Sequence, residues 1–424
     1  MIVNLSADEL HEKYCKMAAS PFVFYRGTAH LFWADFADDW RANRFGGRRT
    51  RTWLQGDAHA ENMGAFNDQE GNLVYGLNDF DESVIGDYQY DLWRFAVSLV
   101  LVMRDNEGFS GKSKAAIINA LSDSYLDTMA SLADDSSALT RSFTAENTSG
   151  LLRAFLKKTE DKKGRKKLLS KWTVKEDGKR RFDAKSSKLA PASKFERADI
   201  EAAMPEYGKT LSGTIEYDPE VFKIRDISRR ISAVTGSIGT PRYYVLIQGD
   251  GNSSKNNHIL DVKRQGKPSA YDYLSKEQQV DYDRTYENDA HRQAVAYQAL
   301  GKQPDGFMGW MKLYNGYYSV RERSPFKETF ETASLNTEED FVEMARVWAE
   351  VLATDHARAV RNLVVDGEPY SIAREIVDWT TGGRSRADFL ALVRDYAFEY
   401  ANQVKADYDA FMEAFQPDDC EDFR

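Results

Sequence analysis

The chain has 424 residues, a formal net charge of −10 and 29% charged residues, a composition typical of a globular protein with room for two or three lobes of about 100–200 residues each. Its acidity argues against a general nucleic-acid binder. Its longest apolar stretch, around Phe95 to Met103, falls far short of the ~18–20 residues that span a bilayer, so no membrane partner is expected.

The N-terminus, MIVNLSADELHEKYCKMAAS, carries acidic residues early and lacks a basic stretch followed by an apolar one, so a cytoplasmic location is expected. Cys15 and Cys420 lie at opposite ends with neither zinc spacing nor a disulfide framework, and read as incidental thiols in a reducing compartment.

In chain order, helical periodicity marks residues 7–18 and then Tyr90–Arg104, where Leu92, Phe95, Ala96, Leu99 and Val100 share a face. Between them TWLQGDA and NLVYGLNDF read as two strands of a hairpin around the turn-like NDQEGN at 67–72. Residues 111–135 read as a helix. From Arg153 to Lys194 there are 16 Lys and Arg against 5 Asp and Glu, +11 locally, leaving −21 elsewhere; the segment reads as a solvated surface hairpin or as a basic flap over phosphates or an acidic partner. Residues 231–265 give two strands after a glycine turn, with Gly249–Asn257 as the loop between them. Residues 276–300 read as a helix, 316–323 as a strand, and 338–362 and 386–414 as amphipathic helices. Without regular βαβ alternation, the pattern is α+β.

The chemistry concentrates between Gln55 and Leu99, which holds Asp57, His59, Asn62, Asp79, Asp81, Asp87 and Asp91, many beside glycines or at strand ends. Phosphoryl transfer needs a carboxylate near the attacking hydroxyl and oxygen ligands holding Mg2+ between phosphates. Asp57, Asn62 five residues on, and Asp79 after a hairpin meet that need. The competing reading is that these residues cap turns and helix starts. His59 suits a structural hydrogen bond or contact with substrate or metal, and Asp81 and Glu82 a further metal ligand or solvated carboxylates.

Gln55-Gly56-Asp57-Ala58-His59-Ala60-Glu61-Asn62, then Asn78-Asp79-Phe80, then Gly86-Asp87-Tyr88-Gln89-Tyr90-Asp91-Leu92 resemble the successive motifs of the aminoglycoside phosphotransferase and choline kinase branch of the protein-kinase-like fold. The resemblance implies Asp57 as catalytic base, Asn62 and Asp79 as Mg2+ ligands and Asp91 as an acceptor steadying the loop; His59 beside Asp57 and Asp81 beside Asp79 remain further catalytic and metal candidates from the residues themselves. The family's first histidine is replaced by Gln55.

Only 56 residues precede Asp57, and none reads as a glycine-rich ATP loop. A candidate comes later: Gly236, Ser237, Gly239 and Thr240 precede the strand RYYVLIQG, and ILDVKRQ presents Lys263 much as kinase strands present their ATP lysine. Backbone N–H groups of such a loop suit phosphates, as does Lys263. Glu287, on the helical segment that follows, is the candidate partner of Lys263. Arg26 suits a phosphate or an acidic loop residue, and His356 and Arg358 read mainly as core or surface groups.

The chain also resembles the domain-of-unknown-function 2252 family through Ser20-Pro21-Phe22-Val23-Phe24-Tyr25-Arg26-Gly27, the two acidic motifs and Gly236–Thr240. The expectation is a two-lobed kinase-like fold in circularly permuted order. Residues 1–150 would be the catalytic-loop and metal-binding part, 151–220 a basic insertion, 221–330 a nucleotide-binding β-rich lobe and 331–424 the completing helices. The expected function is an ATP- and Mg2+-dependent phosphotransferase with an unknown acceptor; adenylyl transfer, a pseudokinase-like regulatory module and a metal-dependent phosphohydrolase compete with it.

Overall fold

The structure, a computed structural model, describes residues 5–37, 39–106, 108–213, 215–231, 238–251, 253–302, 305–381, 386–416 and 420, with only the backbone of Ala138. It is α+β: a helical body packed beside a six-stranded antiparallel sheet.

The body is built around Gln89–Asp105, apolar on nearly every side and buried almost throughout, as a helix enclosed by others must be. Around it pack Gly111–Asp134, Glu338–Ala359 and Arg386–Phe415. Ahead of them, Ala7–Met17 starts on a reciprocal cap between Ser6 and Glu9, and the short helix Pro21–Gly27 starts on Ser20 with proline in its first turn.

The sheet runs Gly309–Leu313, Gly316–Glu322, His258–Arg264, Arg242–Ile247, Ile224–Arg230 and Leu189–Pro191, every neighbour antiparallel. Alternation sends Val245, Ile247, Leu260, Val262 and Val320 to one face, against Ile200, Met204 and Tyr207 of the helix Lys194–Lys209. The other face carries Lys263, Asp261 and Ile259 on one strand and Arg242, Tyr244 and Leu246 on its neighbour. The basic segment folds onto the far end of this second face. Its helices Gly150–Lys162 and Arg165–Trp172 lead into a hairpin, Thr173–Glu176 with Lys179–Phe182, and Leu169, Trp172 and Phe182 pack on Tyr244, Leu246 and Ile259.

Several elements differ from the sequence reading. The strand that pairs with Leu73–Leu77 is Met63–Asn67, not TWLQGDA; Arg51–Leu54 pairs instead with Val84–Asp87, so a second ladder brackets the acidic loops. The helix expected over 276–300 is two, Lys276–Thr285 and Asp289–Leu300, because the Asn288 side chain accepts the His291 N–H and caps a new helix. The cysteines are not incidental: Cys15 and Cys420 form a disulfide between α-carbons 5.3 Å apart, which removes the support that unpaired thiols lent to a reducing compartment. No helix among the described residues is long and apolar enough to cross a membrane.

Candidate functional site

The segment from Gln55 to Asn62 is a loop fixed from below. Asp91, in the first turn of the central helix, accepts the backbone N–H groups of Gln55 (2.6 Å) and Gly56 (3.0 Å) on its two oxygens. Behind Asp91 stands His356, fully buried, with Nε2 3.2 Å from that carboxylate and Nδ1 2.9 Å from the Tyr125 hydroxyl. Gln55, which replaces the histidine of the resembled motif, holds both sides of the site: its amide donates to the Asp79 carbonyl (2.6 Å) and its side-chain oxygen accepts the Asp57 N–H (3.2 Å). Gly56 has φ +86°, and a β-carbon there would lie 1.9 Å from the Glu82 carbonyl oxygen. Only glycine fits this turn.

This loop delivers Asp57 to a cleft of about 230 Å³ lined by Asp57, His59, Asn62, Asp79, Asp81, Thr240 and Lys263, with Lys13, Arg26, His30 and Glu82 nearby. Asp57 Oδ1 accepts from Arg94 Nε (2.8 Å) and Nη2 (2.5 Å), and Oδ2 lies 3.8 Å from His59 Nε2. Burial pushes the Asp57 carboxyl up to about 6, with the Arg94 guanidinium opposing the rise. The resulting carboxylate is ionised at neutral pH yet basic enough to take a proton. His59 is held neutral, its pKa driven well down first by burial and then by the charges of Arg26 and Arg94. Its Nδ1, Arg26 Nε and Arg94 Nη1 are buried without a hydrogen-bond partner among the described residues. Arg26 itself pairs with Glu61.

Asn62 donates its amide to the Asp57 carbonyl (3.0 Å), which leaves its side-chain oxygen without a hydrogen-bond partner among the described residues. The Asp79 carboxylate likewise has no hydrogen bond or ion pair among them, and its charge acts on Lys263 and Arg321. Two unsatisfied anionic or carbonyl oxygens in one cleft suit a hard, oxygen-seeking cation such as Mg2+. Asp81 is already engaged, ion-paired with Lys263 and accepting from Gln265 Nε2 (3.0 Å). Burial disfavours its charge, but the Lys263 ammonium and these hydrogen bonds hold its carboxyl down at about 2. Burial also works against the Lys263 ammonium, and Asp81 and Asp79 together raise its pKa above the ordinary value.

Not every expected residue arrives. Glu287 is exposed, with its N–H donating to His291 Nδ1 (3.2 Å), and does not line the cleft; the carboxylate paired with Lys263 is Asp81. Glu287 misses because the chain turns away at Tyr286 before the capped helix begins. Gly236 and Ser237 lie outside the described residues. Gly239 has φ +75°, with Leu5 so close that a β-carbon would meet it at 2.0 Å; it packs on the N-terminal segment, and Thr240 beyond it reaches the cleft. Asp87 is held by the Thr50 hydroxyl (2.5 Å) and the Gln89 N–H (3.1 Å), a structural role.

Two arginines were missed by the sequence reading. Arg94 sits one helical turn after Asp91, so the same face of one helix holds both the loop and Asp57. Arg292, fully buried, spends all five N–H donors: on the carbonyls of Phe80 (3.0 Å), Ser83 (3.1 Å), Asp81 (2.8 Å) and Gly266 (3.1 Å) and on the Tyr282 hydroxyl (3.2 Å). It clamps the turn after Asp79 to the strand end after Lys263.

A family model described as "Uncharacterized protein conserved in bacteria (DUF2252)" matches residues 6–414. The chain belongs to the DUF2252 family. The match takes in both acidic motifs, Lys263 and Arg292, so every described group of this site lies within the DUF2252 region. No curated protein and no solved structure matches the chain.

Proposed function

We propose that the chain is an ATP- and Mg2+-dependent phosphotransferase acting on a hydroxyl-bearing acceptor, on a two-lobed protein-kinase-like fold in circularly permuted order. The observation that carries this reading is the convergence of Asp57, Asn62, Asp79 and Lys263 on one cleft, although the first three precede the sheet and Lys263 lies within it. The antiparallel sheet following the acidic loops in sequence supports the permuted order.

In this reading the Asn62 oxygen and the Asp79 carboxylate would hold Mg2+, which would supply neutralisation of phosphate charge. Lys263 places a cation over the phosphates, and to do so it exchanges part of its contact with Asp81. Asp57 orients the acceptor hydroxyl through Oδ2 and takes its proton, while Arg94 keeps Oδ1 fixed. Neutral His59 adds no charge that would compete for the phosphates.

The test is label transfer from ATP carrying radiolabel at the γ or the α phosphate into a metabolite extract with Mg2+. Transfer of γ label by the native protein and its loss in Asp57→Asn and Asp79→Ala is the expected result. Transfer of α label would establish adenylyl transfer instead, and γ transfer undiminished in both variants would remove these residues from the mechanism.

A further inference from the structure

A second, smaller cavity is walled by Arg321, Arg323, Lys327, Asp261, Asp305 and Glu322, and Asn78, the residue before Asp79, also lines it. Its position follows from strand register. Arg321 opposes Asp261, two residues from Lys263, a step of about 7 Å along the strand. Arg323 stands one such step further, its N–H bonded to the Ile259 carbonyl (2.7 Å).

The charge balance of this wall is uneven. Each carboxylate is already matched elsewhere. Asp261 is paired with Arg242, whose Nε donates to it at 2.6 Å. Glu322 is paired with Arg165 and His258, both at 2.7 Å. Asp305 accepts the N–H groups of Phe307 (2.8 Å) and Glu322, and burial followed by the charge of Glu322 pushes its carboxyl up to about 7, so much of it is uncharged at neutral pH. The basic groups lack partners as close as these: the charges of Asp261 and Asp79 reach Arg321 without an ion pair, and burial followed by the charges of Arg321, Arg242 and Arg323 pushes the Lys327 amine down to about 7, so an anion bound beside it would restore its charge. Arg321 donates to the Asn78 carbonyl (2.9 Å), and neither it, Arg323 nor Lys327 has a carboxylate within ion-pair distance among the described residues. The Arg323 guanidinium lies over the rings of Trp172 (4.9 Å) and Tyr244 (5.2 Å), and its Nε is buried with no hydrogen-bond partner among the described residues. Trp172 belongs to the basic segment, so that segment braces one of the three basic groups.

A buried donor without a partner costs free energy that a bound acceptor recovers. The cavity measures about 30 Å³, roughly two water positions. A space of that size excludes a nucleoside triphosphate and limits any bound anion to a single small group. Two guanidiniums and an amine that a bound anion would charge suit a phosphate monoester, whose oxygens accept charge-assisted hydrogen bonds from arginine forks.

We infer that Arg321, Arg323 and Lys327 form a binding site for a single phosphate group, separate from the nucleotide cleft. The site stands on its own geometry and does not depend on the phosphotransferase reading.

The experiment is isothermal titration of inorganic phosphate into the full-length protein without nucleotide or divalent metal. It is repeated with Arg323→Ala, Lys327→Ala and Lys263→Ala, each checked for native unfolding temperature. The expected result is saturable binding in the native protein, weakened at least tenfold by Arg323→Ala and by Lys327→Ala and changed less than threefold by Lys263→Ala. The Lys327 side chain is exposed over part of its length while its amine is desolvated, so its variant reports even where Arg323→Ala loosens the fold. Absence of phosphate binding to the native protein overturns the inference. So does a loss in Lys263→Ala as large as in the other two, which would put the anion in the main cleft.

Discussion

Lys263 and Asp81 form an ion pair although 182 positions separate them in sequence. The contact joins the sheet to the acidic turn beyond Asp79, and it is partly wet, with the two side chains 14% and 26% exposed. Lys263→Met leaves Asp81 without its cation and is expected to cost about 1–3 kcal/mol, below the 3–5 kcal/mol of a fully buried pair. It is also expected to abolish the proposed nucleotide binding. Asp81→Asn is expected to cost less stability and to keep binding, since it frees Lys263 for phosphate. Thermal unfolding and nucleotide titration of both variants check this.

In the proposed mechanism Asp57 is expected to set the acid limb of the rate–pH profile. Burial raises its carboxyl to about 6 with Arg94 opposing, and only the ionised form takes a proton, so turnover is expected to rise with pH through about 6 and then level off. Arg94→Gln removes the opposing cation, which moves the limb to higher pH and lowers the plateau rate by about 10²-fold or more. Arg94→Lys keeps a charge without the two-pronged geometry and falls between them. A limb that stays in place in Arg94→Gln would separate Asp57 from the rate.

How much of this site the sequence discloses depends on where each partner lies in the chain. Asp57, Asn62, Asp79 and Asp91 are legible because they sit in contiguous motifs, and Asp91 meets its expected role through the N–H groups of Gln55 and Gly56. Arg94 was one turn from being found, since its spacing from Asp91 is that of a shared helix face. Arg292 had no signal of that kind: four of its five contacts are backbone carbonyls, which every residue possesses. The hairpin was misplaced because TWLQGDA looks more strand-like than MGAFN, and pairing, not propensity, decided the matter. Nothing local could pair Cys15 with Cys420 across 405 residues.

Gly56→Ala is expected to cost about 2–5 kcal/mol, combining about 1–2 kcal/mol for a left-handed backbone with about 1–3 kcal/mol for overpacking against Glu82. Since the turn also delivers Asp57, the proposed activity is expected to fall with stability. Denaturant unfolding of the variant checks the first, and wild-type stability in it would show that the turn relaxes freely.

Reduction of the disulfide is expected to lower stability by about 2–5 kcal/mol, because it frees the C-terminal end from the helix Ala7–Met17, whose Lys13 lines the cleft. Cys15→Ser should reproduce the shift in unfolding temperature, and a reductant should then have no further effect on that variant. A reductant that shifts the variant as much as the native protein would mean that the bond is not what is being cleaved.

The central claim is that Asn62 and Asp79 hold a metal that Lys263 complements around a nucleotide. Calorimetric titration of ATP with and without Mg2+, in the native protein and in Asp79→Ala, tests it most directly. The account predicts binding to the native protein that strengthens at least tenfold with Mg2+, and loss of that metal dependence in Asp79→Ala; metal-independent binding of equal strength in both proteins would contradict it.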